Sequence, residues 1–293
     1  MNAAVTTVAP AQDLSPMQDA RRGFPAHEQV MPLRWRSQPS RACRDVPAET
    51  AVAIVANGTS HAVMMATPDD LEDFAVGFAL TEGLITRLDQ VEEIEVVAHP
   101  RGLEARLWLQ EGRARALASR RRQMAGPTGC GMCGLESLDE ALREVPRVEA
   151  ECELRPADVV RAMAALGGQQ HLHARTRAVH AAAFWTPRGG ILALREDVGR
   201  HNALDKLVGA LARQGVQDRY GLLLLTSRVS LEMVQKAAIG GFPMLAAVSA
   251  PTASALEAGA SAGMTVIGVT RDDGFEIFTH PRRITGATVP ISA

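Results

Sequence analysis

Three apolar runs in the second half of the chain constrain the fold most strongly: GILAL, GLLLLTS and MLAAVSA. In the LLLL and LAAV parts the apolar residues are consecutive, so neither face of these strands suits contact with water. This is typical of central strands that helices cover on both sides. Each run leads into a helix-like pattern, and these helices are predicted to begin near Asn202, Ser230 and Ser254. The strands TVIGVTR and EIFTH follow. We therefore predict an α/β fold built on a helix-covered mixed sheet, plus a smaller N-terminal α+β subdomain.

The first half of the chain predicts a hairpin and a helix that packs against it. AVAIVA and HAVMMA flank Asn57-Gly58, a pair that favours the positive φ angles of a tight hairpin turn. Thr67-Pro68 predicts the next helix start, with Thr67 as its N-cap, and the helix should run to about Gly83. EIEVV and EARLWL predict two further strands. The apolar residues of the predicted helix share one face and should pack on the sheet of the hairpin: Leu71, Phe74, Ala75, Phe78 and Ala79.

The chain divides into four predicted segments. Residues 1–45 contain five prolines without apolar periodicity and are predicted to be a mobile N-terminal tail. Residues 46–134 form an N-terminal subdomain that ends in a cysteine loop, residues 135–284 a C-terminal α/β domain, and residues 285–293 a C-terminal tail. Within the second domain, helices are predicted over 135–144 and 156–166, the latter closed by a pair of glycines.

Composition and charge exclude several classes of protein. A formal net charge of -2 excludes a strongly basic nucleic-acid binder. No apolar run approaches the roughly 18 residues that a membrane helix needs. The first residues lack a basic segment followed by a long apolar stretch, so we expect no secretory signal and a cytoplasmic protein. Four cysteines in 293 residues are too few for a disulfide framework.

The pair Cys130 and Cys133, in the glycine-rich segment GCGMCG, is the strongest local signal. The residues from 112 to 135, which we interpret as a basic loop, include five arginines and no acid, and a positive environment lowers a thiol pKa and favours the nucleophilic thiolate. The same spacing fits half of a zinc site or a thioredoxin-like disulfide pair, and both interpretations stay open. A deaminase-type zinc site is not expected, because no His-x-Glu or Cys-x-Glu occurs in the chain.

The segment EDVGRHNALDK is unusually polar for a strand-to-helix turn. Its residues Arg200, His201 and Asn202 suit anion binding at a helix N-terminus, although a solvated turn capped by Asn202 explains them equally well. Lys206 and Lys236 are the only lysines among 31 basic residues. We expect Lys206 and His201 to reach a common ligand or the cysteine loop, so that Lys206→Met lowers activity with little change in melting temperature. Structural packing alone is the alternative.

Two hydroxyl-rich turns, TSRVS at 226–230 and SAPTAS at 249–254, precede predicted helices. If their strands are parallel neighbours, both turns open on the carboxyl edge of the sheet, where α/β proteins bind ligands. Such a pair of turns suits a phosphorylated ligand. Helix capping alone is the other interpretation.

Several of these segments together resemble the FdhD family of sulfur-carrier proteins that formate dehydrogenase requires. The resemblance rests on GCGMCG followed by LESL, on EDVGRHNALDK, on SLEMVQKA, on GVTRDDGFEIFTHPRRI, and on NGTSHAVMMATPDDLEDFAVGFALTEGLI nearer the N-terminus. It covers roughly Val46 to Ile284. One departure occurs at Thr176-Arg177-Ala178-Val179, where the family usually has a glycine pair after the threonine.

The resemblance implies a cytidine-deaminase-like fold without the zinc, and a homodimer. It also implies that Cys130 accepts persulfide sulfur from a cysteine desulfurase and passes it to molybdenum in the bis(molybdopterin guanine dinucleotide) cofactor of formate dehydrogenase. Cys133 would assist release of the sulfur, and the hydroxyl-rich turns would hold the guanine-nucleotide phosphates. A non-catalytic cofactor-binding chaperone and a metal-binding module that uses the two cysteines are the alternatives. The cofactor-binding stretch of the family falls on Val269, Thr270, Arg271, Asp272, Asp273 and Gly274.

Overall fold

The computed structural model describes residues 24–124 and 145–287, and for residues 118–124 the backbone alone. The cysteine pair and the helix predicted over 135–144 lie outside the described residues. No helix in the described part of the chain is long and apolar enough to cross a membrane. The elements up to residue 124 are β1 (His27–Val30), β2 (Leu33–Trp35), β3 (Pro39–Arg41), β4 (Arg44–Pro47), β5 (Thr50–Ala56), β6 (Thr59–Ala66), α1 (Leu71–Thr81), β7 (Val91–His99), β8 (Gly102–Leu109) and α2 (Glu111–Met124).

The remaining elements follow residue 155 and alternate between strand and helix only from residue 190 to residue 271. They are α3 (Pro156–Gly167), α4 (His171–Thr176), β9 (His180–Thr186), β10 (Gly190–Asp197), α5 (Arg200–Arg213), β11 (Leu222–Leu225), α6 (Leu231–Ile239), β12 (Met244–Ala247), α7 (Ala253–Ser261), β13 (Thr265–Arg271) and β14 (Gly274–Ile277). The predicted helix over 156–166 and the predicted strands GILAL, GLLLLTS, MLAAVSA and TVIGVTR are thus confirmed. EIFTH is a strand only at Glu276 and Ile277, because β14 ends there.

A four-stranded sheet with the order β6-β5-β8-β7 forms the N-terminal module, and its two central strands, β5 and β8, are parallel. The predicted hairpin of β5 and β6 is confirmed, with φ angles of 47° at Asn57 and 74° at Gly58. The Asn57 side chain ties this turn to β8, because its amide group donates to the Leu109 carbonyl and accepts from the Leu109 N–H. Phe74 and Phe78 of α1 pack with Val52 and Ile54 of β5, as predicted.

The start of α1 differs from the prediction. The helix begins at Leu71, and its N-cap, Asp70, has a left-handed φ of 53°. Thr67 does not cap it, because its hydroxyl oxygen accepts the Val198 N–H of the other module at 3.1 Å. The Thr67 hydroxyl, which the sequence predicts as a helix cap, therefore makes a contact between the two modules instead.

Two further predictions about the N-terminal half are wrong. Residues 111–124, interpreted as part of a basic loop, form the helix α2, because alanine, arginine, leucine and glutamine are good helix formers and Gly112 lies in its first turn. Residues 24–47, assigned mostly to a mobile tail, form two pairs of strands: β1 pairs with β4, and β2 pairs with β3. Backbone pairing between strands overrides the proline-rich composition there. The residues of 1–23 lie outside the described part of the chain.

A six-stranded mixed sheet with the order β10-β9-β11-β12-β13-β14 forms the centre of the C-terminal module. Strands β11, β12 and β13 are parallel, whereas β9 and β14 are antiparallel to their neighbours. Helices cover both faces: alternate residues of β11 point into a core with α5, α6 and α7 on one side, and into a core with α3 on the other. The predicted helix-covered mixed sheet is confirmed, and the domain boundaries stay a prediction.

The two modules meet where α1 crosses α5 with almost no space between the backbones. A Cβ atom added to Gly77 would overlap the Asp205 carbonyl, and one added to Gly209 would overlap the Asp73 carbonyl. Only glycine permits such an approach. The crossing is flanked by Asp73, which accepts from Arg195 Nη2 at 2.6 Å and from Arg213 Nη1 at 2.5 Å.

Candidate functional site

Four strand ends open on one edge of the six-stranded sheet, here called the carboxyl edge. Strands β11, β12 and β13 are parallel, and β10 runs in the same direction because it is twice antiparallel, through β9, to β11. Residues 198–200, 226–230 and 248–252 follow β10, β11 and β12 at this edge, and residues 269–273 are the irregular end of β13 and the turn after it. This is the edge at which α/β proteins bind ligands.

The two hydroxyl-rich turns are direct neighbours at this edge, as the sequence predicts. Val229 forms an isolated bridge with Pro251, and the Thr252 N–H donates to the Val229 carbonyl at 2.9 Å. Thr252 caps α7 through its hydroxyl, which accepts the Ala255 N–H. Ser230 is the N-cap of α6, but its hydroxyl makes no capping bond. Two helix N-termini with their positive dipole ends therefore face the edge side by side.

Several buried polar atoms at the carboxyl edge have no hydrogen-bond partner among the described residues: Arg200 Nε, Ser230 Oγ and Thr270 Oγ1. They come from three different turns, and Thr270 is only 4% exposed. A buried polar group without a partner costs about 1–3 kcal/mol. Because these atoms lie at one edge, a polar ligand placed there would satisfy atoms that the fold leaves unpaired.

The end of β13 carries backbone strain at the same place. Val269 has a φ of 53°, in the left-handed region that β-branched residues rarely adopt, within an irregularity of the β13–β14 register between Gly268 and Arg271. Strain of this kind, of order 1–3 kcal/mol, is concentrated at ligand sites. Arg271 bends back over the edge, where its Nη1 donates to the Val248 carbonyl at 2.5 Å and to that of Thr270 at 2.8 Å. The structure thus brings the predicted 269–274 stretch to the two predicted turns.

The positive charges at the edge come mainly from arginines, because burial lowers the pKa values of His201 and His180. Arg200, exposed Arg228 and exposed Arg271 each belong to a different turn. Burial, and next the Arg200 guanidinium, lower the pKa of His201, whose Nε2 lies 2.7 Å from Glu232 Oε2. Burial and Arg200 also lower the pKa of His180, at the start of β9. Exposed carboxylates of Asp272 and Asp273 complete the rim.

The EDVGRHNALDK segment is largely buried, so the interpretation as a solvated turn is wrong. Asn202 does not cap α5, which begins at Arg200 after the N-cap Gly199. Instead, Asn202 Nδ2 donates to the Met65 carbonyl and to Asp197 Oδ1, both at 2.9 Å. Asp197 also accepts the N–H groups of Thr67 and Gly199. The segment joins the two modules and leaves Arg200 and His201 at the carboxyl edge.

The expectation that Lys206 reaches a ligand together with His201 is wrong. Lys206 is completely buried, where its Nζ lies 2.7 Å from Asp197 Oδ2 and donates to the Thr67 carbonyl at 2.9 Å. Its long side chain points back to the N-terminal module, whereas His201 points to α6. Sequence spacing along a helix start could not distinguish these directions.

Lys236, the other lysine, holds a second buried polar cluster between the modules. Its Nζ donates to both Asp205 oxygens at 3.0 Å, to Glu82 Oε1 at 2.6 Å and to the Thr81 hydroxyl at 3.0 Å. Burial raises the pKa of Asp205. Burial alone would lower the pKa of Lys236, but the carboxylates of Asp205 and Glu82 outweigh it and raise that pKa. Both lysines of the chain therefore have structural partners on α1 or just before it.

The departure from the family pattern at residues 176–179 has a visible backbone consequence. Arg177 ends α4 with a left-handed φ of 59°, a conformation that suits glycine. The loop stays in place because the Thr176 hydroxyl donates to the Leu172 carbonyl and Glu196 accepts the N–H groups of Leu172 and His173. An arginine is thus accommodated where the family usually has glycine.

The described cysteines differ sharply in their environment. Cys43 is exposed, and Cys152 is 5% exposed, with its thiol close to the Gly221 carbonyl. Burial raises the pKa of Cys152 to about 11. Among the described residues no group of three or more His, Cys, Asp or Glu side chains could hold a metal ion. Cys130 and Cys133 lie outside the described residues.

The fold defines a mixed α/β protein, and comparison with known proteins gives its family. The FdhD/NarQ family model matches residues 47–285, and the chain belongs to this family. The chain is 51% identical over 247 residues to the sulfur carrier protein FdhD of Agrobacterium fabrum, covering 84% of this chain and 91% of that protein. The FdhD protein of Xanthomonas euvesicatoria is 44% identical over 252 residues, 86% of this chain and 90% of that one.

A solved structure supports the fold. A protein from Desulfotalea psychrophila, described as a formate dehydrogenase accessory protein, superposes with a TM-score of 0.71 at 23% sequence identity. The match covers 89% of this chain and all of that one. At this identity the likeness concerns the fold.

Proposed function

We propose that this chain is a sulfurtransferase of the sulfur-carrier type. It accepts persulfide sulfur from a cysteine desulfurase on Cys130 and transfers it to the molybdenum of the bis(molybdopterin guanine dinucleotide) cofactor needed by formate dehydrogenase. The observation that carries the cofactor part is the set of unpartnered buried polar atoms beside the strained Val269. The family and the printed names of the relatives support the sulfur-carrier part.

The first step is an exchange between a thiolate and a persulfide. The Cys130 thiolate attacks the outer sulfur of the desulfurase persulfide, a new sulfur–sulfur bond forms at Cys130, and the desulfurase cysteine leaves as a thiolate. The sulfur–sulfur bond of the desulfurase persulfide breaks as the new one forms, so no net oxidation or reduction occurs, and the proton of the outer sulfur stays with the transferred group. The five arginines between residues 112 and 135 favour the thiolate form of Cys130.

The second step releases the sulfur as sulfide. The Cys133 thiolate attacks the inner sulfur of the Cys130 persulfide, a disulfide forms between the two cysteines, and hydrosulfide leaves. The outer sulfur gains two electrons and the two thiols lose them, so a cellular dithiol must then reduce the disulfide. The hydrosulfide is the ligand that the molybdenum of the substrate cofactor receives.

The carboxyl edge is where we propose that the cofactor is held. Phosphates suit the N-termini of α6 and α7, together with Arg200 Nε and Ser230 Oγ. Guanine carries N–H₂ donors, for which the carboxylates of Asp272 or Asp273 are suitable acceptors. The residues of the 269–274 stretch would then bind the nucleotide end of the cofactor.

Three further parts of the proposal concern the protein as a whole. The chain acts as a homodimer in the cytoplasm. Its C-terminal module is related to the cytidine-deaminase fold, without the zinc. Its protein partners are the cysteine desulfurase and formate dehydrogenase.

Mass spectrometry with isotopically labelled cysteine tests the sulfur step. After incubation with a cysteine desulfurase and labelled cysteine, we expect one added sulfur on Cys130, and Cys130→Ala should abolish it. A Cys130 that stays unmodified while formate dehydrogenase is still activated would support a non-catalytic chaperone. Stoichiometric zinc lost on substitution of Cys130 or Cys133 would support a metal-binding module.

Nucleotide binding tests the carboxyl edge independently of the thiols. GDP should bind the wild-type chain, and Arg271→Ala should weaken binding by roughly tenfold, the cost of a lost charge-assisted contact. Arg101→Ala is a matched control, because Arg101 is an exposed arginine on the β7–β8 turn of the four-stranded sheet and belongs to none of the turns at the carboxyl edge. Equal GDP affinity of Arg271→Ala and wild type would remove Arg271 from the site.

A further inference from the structure

A projecting two-stranded arm, residues 31–44, is unusually rich in exposed apolar and positive side chains. The strands β2 and β3 pair only with each other, and every residue from 28 to 41 is exposed in the described structure. A two-stranded ribbon of this kind is marginally stable alone in water. Packing against another surface would stabilise it.

One face of the arm combines apolar side chains with one arginine, because Arg41 of β3 lies opposite Leu33. Leu33 and Trp35 alternate along β2 onto the same face, and Trp35 lies opposite Pro39 of β3. Leu33 is 62% exposed and Trp35 is 75% exposed. Tryptophan is the residue most enriched among binding hot spots, because it buries a large rigid area. The arm also carries a set of arginines and no carboxylate: Arg34, Arg36, Arg41 and Arg44.

A groove of about 960 Å³ lies on the opposite, amino edge of the six-stranded sheet. It is lined by the start of β10, the end of β9 and the segment before β11, and its apolar wall includes Leu192 and Tyr220, which are 40% and 44% exposed. Four carboxylates and two arginines line it. Asp158 is already paired with Arg155, one of those arginines. The remaining charges of the groove are the carboxylates of Glu151, Glu153 and Asp218 and the one guanidinium of Arg188, so the groove is negative.

The arm and the groove are complementary but do not meet within one chain. The base of the arm lies near the carboxyl edge, where Arg44 donates to the Thr176 carbonyl and Arg175 pairs with Asp45. None of the residues that line the groove belongs to the arm. The ribbon is positive and aromatic, and its base contacts the C-terminal module away from the groove, which is negative with an aromatic wall. This arrangement suits reciprocal exchange between two copies.

We propose that the arm of one copy docks into the amino-edge groove of a second copy, with Trp35 against Leu192 and Tyr220 and its arginines facing Glu153 and Asp218. Two such contacts, related by a twofold axis, close the dimer. This inference gives the contact for the homodimer proposed above and is independent of the sulfur chemistry.

Photocrosslinking identifies the occupant of the groove. The photoreactive residue p-benzoylphenylalanine at position 35 of the full chain should give a cross-linked band of twice the chain mass, with the link mapped to residues 151–158, 186–192 or 216–220. The same residue at position 108 is the control, because Trp108 is also exposed but lies on β8 of the other sheet. A link within the same chain, or to any other surface of the second copy, would overturn the proposal.

Charge exchange tests the same contact by affinity. Arg36→Glu and Asp218→Arg should each weaken dimerisation, measured by sedimentation, and the double variant should recover it in part because the exchanged charges attract again. Trp35→Ala should weaken it by about 30-fold or more, the cost of losing a hot-spot aromatic. Arg101→Glu should have no effect. A dimer that withstands all arm variants would refute this contact while leaving the homodimer intact, and a monomeric wild type would refute both.

Discussion

Lys206 Nζ lies 2.7 Å from Asp197 Oδ2, and neither side chain has any exposed surface. Asp197 ends β10 in the C-terminal module, and Lys206 also donates to the Thr67 carbonyl of the N-terminal module. Two opposite charges are thus buried together at the junction of the modules, with hydrogen bonds to backbone groups on both sides. Removing one partner of such a pair strongly destabilises the folded protein, because the other charge stays buried without compensation.

Lys206→Met should therefore lower stability, contrary to the expectation from sequence that melting temperature would hardly change. We expect a loss of about 3–5 kcal/mol, because Asp197 is left as an uncompensated buried charge. Urea denaturation measures it. Adding Asp197→Asn should recover part of the loss, since the orphan charge is then gone. If Lys206→Met kept its stability and lost only sulfur transfer, the structural role would be wrong.

The crossing of α1 and α5 gives a second prediction. Gly77→Ala or Gly209→Ala should lower the free energy of unfolding by about 3 kcal/mol or more, because each added Cβ overlaps a carbonyl of the other helix and the backbones must separate. Gly167→Ala is the control. It adds the same methyl group near the end of α3 with no atom within 4 Å, and should change stability by less than about 1 kcal/mol. Similar values for all three variants would mean that the crossing is less tight than described.

The sequence predicted the elements that depend on neighbouring residues and missed the contacts between distant ones. The Asn57-Gly58 hairpin and the apolar face of α1 follow from local turn chemistry and helical spacing. Thr67, Asn202 and Lys206 each make a hydrogen bond to the other module, and no local pattern indicates that a capping hydroxyl or a turn asparagine is used across more than 130 residues. The signal for the carboxyl edge was detectable, because its turns follow apolar strands, whereas the strain at Val269 is visible only in the backbone.

Asp158, the third residue of α3, should make stability depend on pH. Hydrogen bonds from the Arg155 side chain, and next from its backbone N–H, hold the pKa of Asp158 below its usual value despite burial. The pKa is lower in the folded than in the unfolded chain, so the stabilisation is present above about pH 4 and is lost as pH falls through the folded pKa. Asp158→Asn should cost about 1 kcal/mol at pH 7. In denaturation curves the difference from wild type should disappear in acid, and a difference independent of pH would contradict the ionic origin.

Cys152 should not react with thiol reagents in the native protein. Its thiol is buried and its pKa is raised to about 11, so at pH 8 the thiolate fraction is on the order of one in a thousand. Iodoacetamide labelling followed by mass spectrometry should modify exposed Cys43 rapidly and Cys152 only after denaturation. Labelled sulfur from a desulfurase should likewise be absent from Cys152. Rapid labelling of Cys152 in the native protein would show that its surroundings open to solvent. Cys152 could then no longer serve as an unreactive control in the sulfur-labelling experiment.

Thr270 gives a prediction in which stability and ligand binding change in opposite directions. Its hydroxyl is buried at the carboxyl edge without a partner among the described residues, so the free protein carries the cost of desolvating it. Thr270→Val has nearly the same shape and removes that cost. We expect the ligand-free variant to be more stable than wild type by about 1 kcal/mol. If the hydroxyl binds the nucleotide, GDP should raise the melting temperature of the variant less than that of wild type.

Thr279→Val is the contrasting control. The Thr279 hydroxyl is buried too, but it donates to the Met264 carbonyl and accepts the Val266 N–H. Its loss should therefore destabilise the chain without weakening GDP binding. A Thr270→Val protein that loses stability and binds GDP as wild type does would show that the hydroxyl serves the fold and not the ligand.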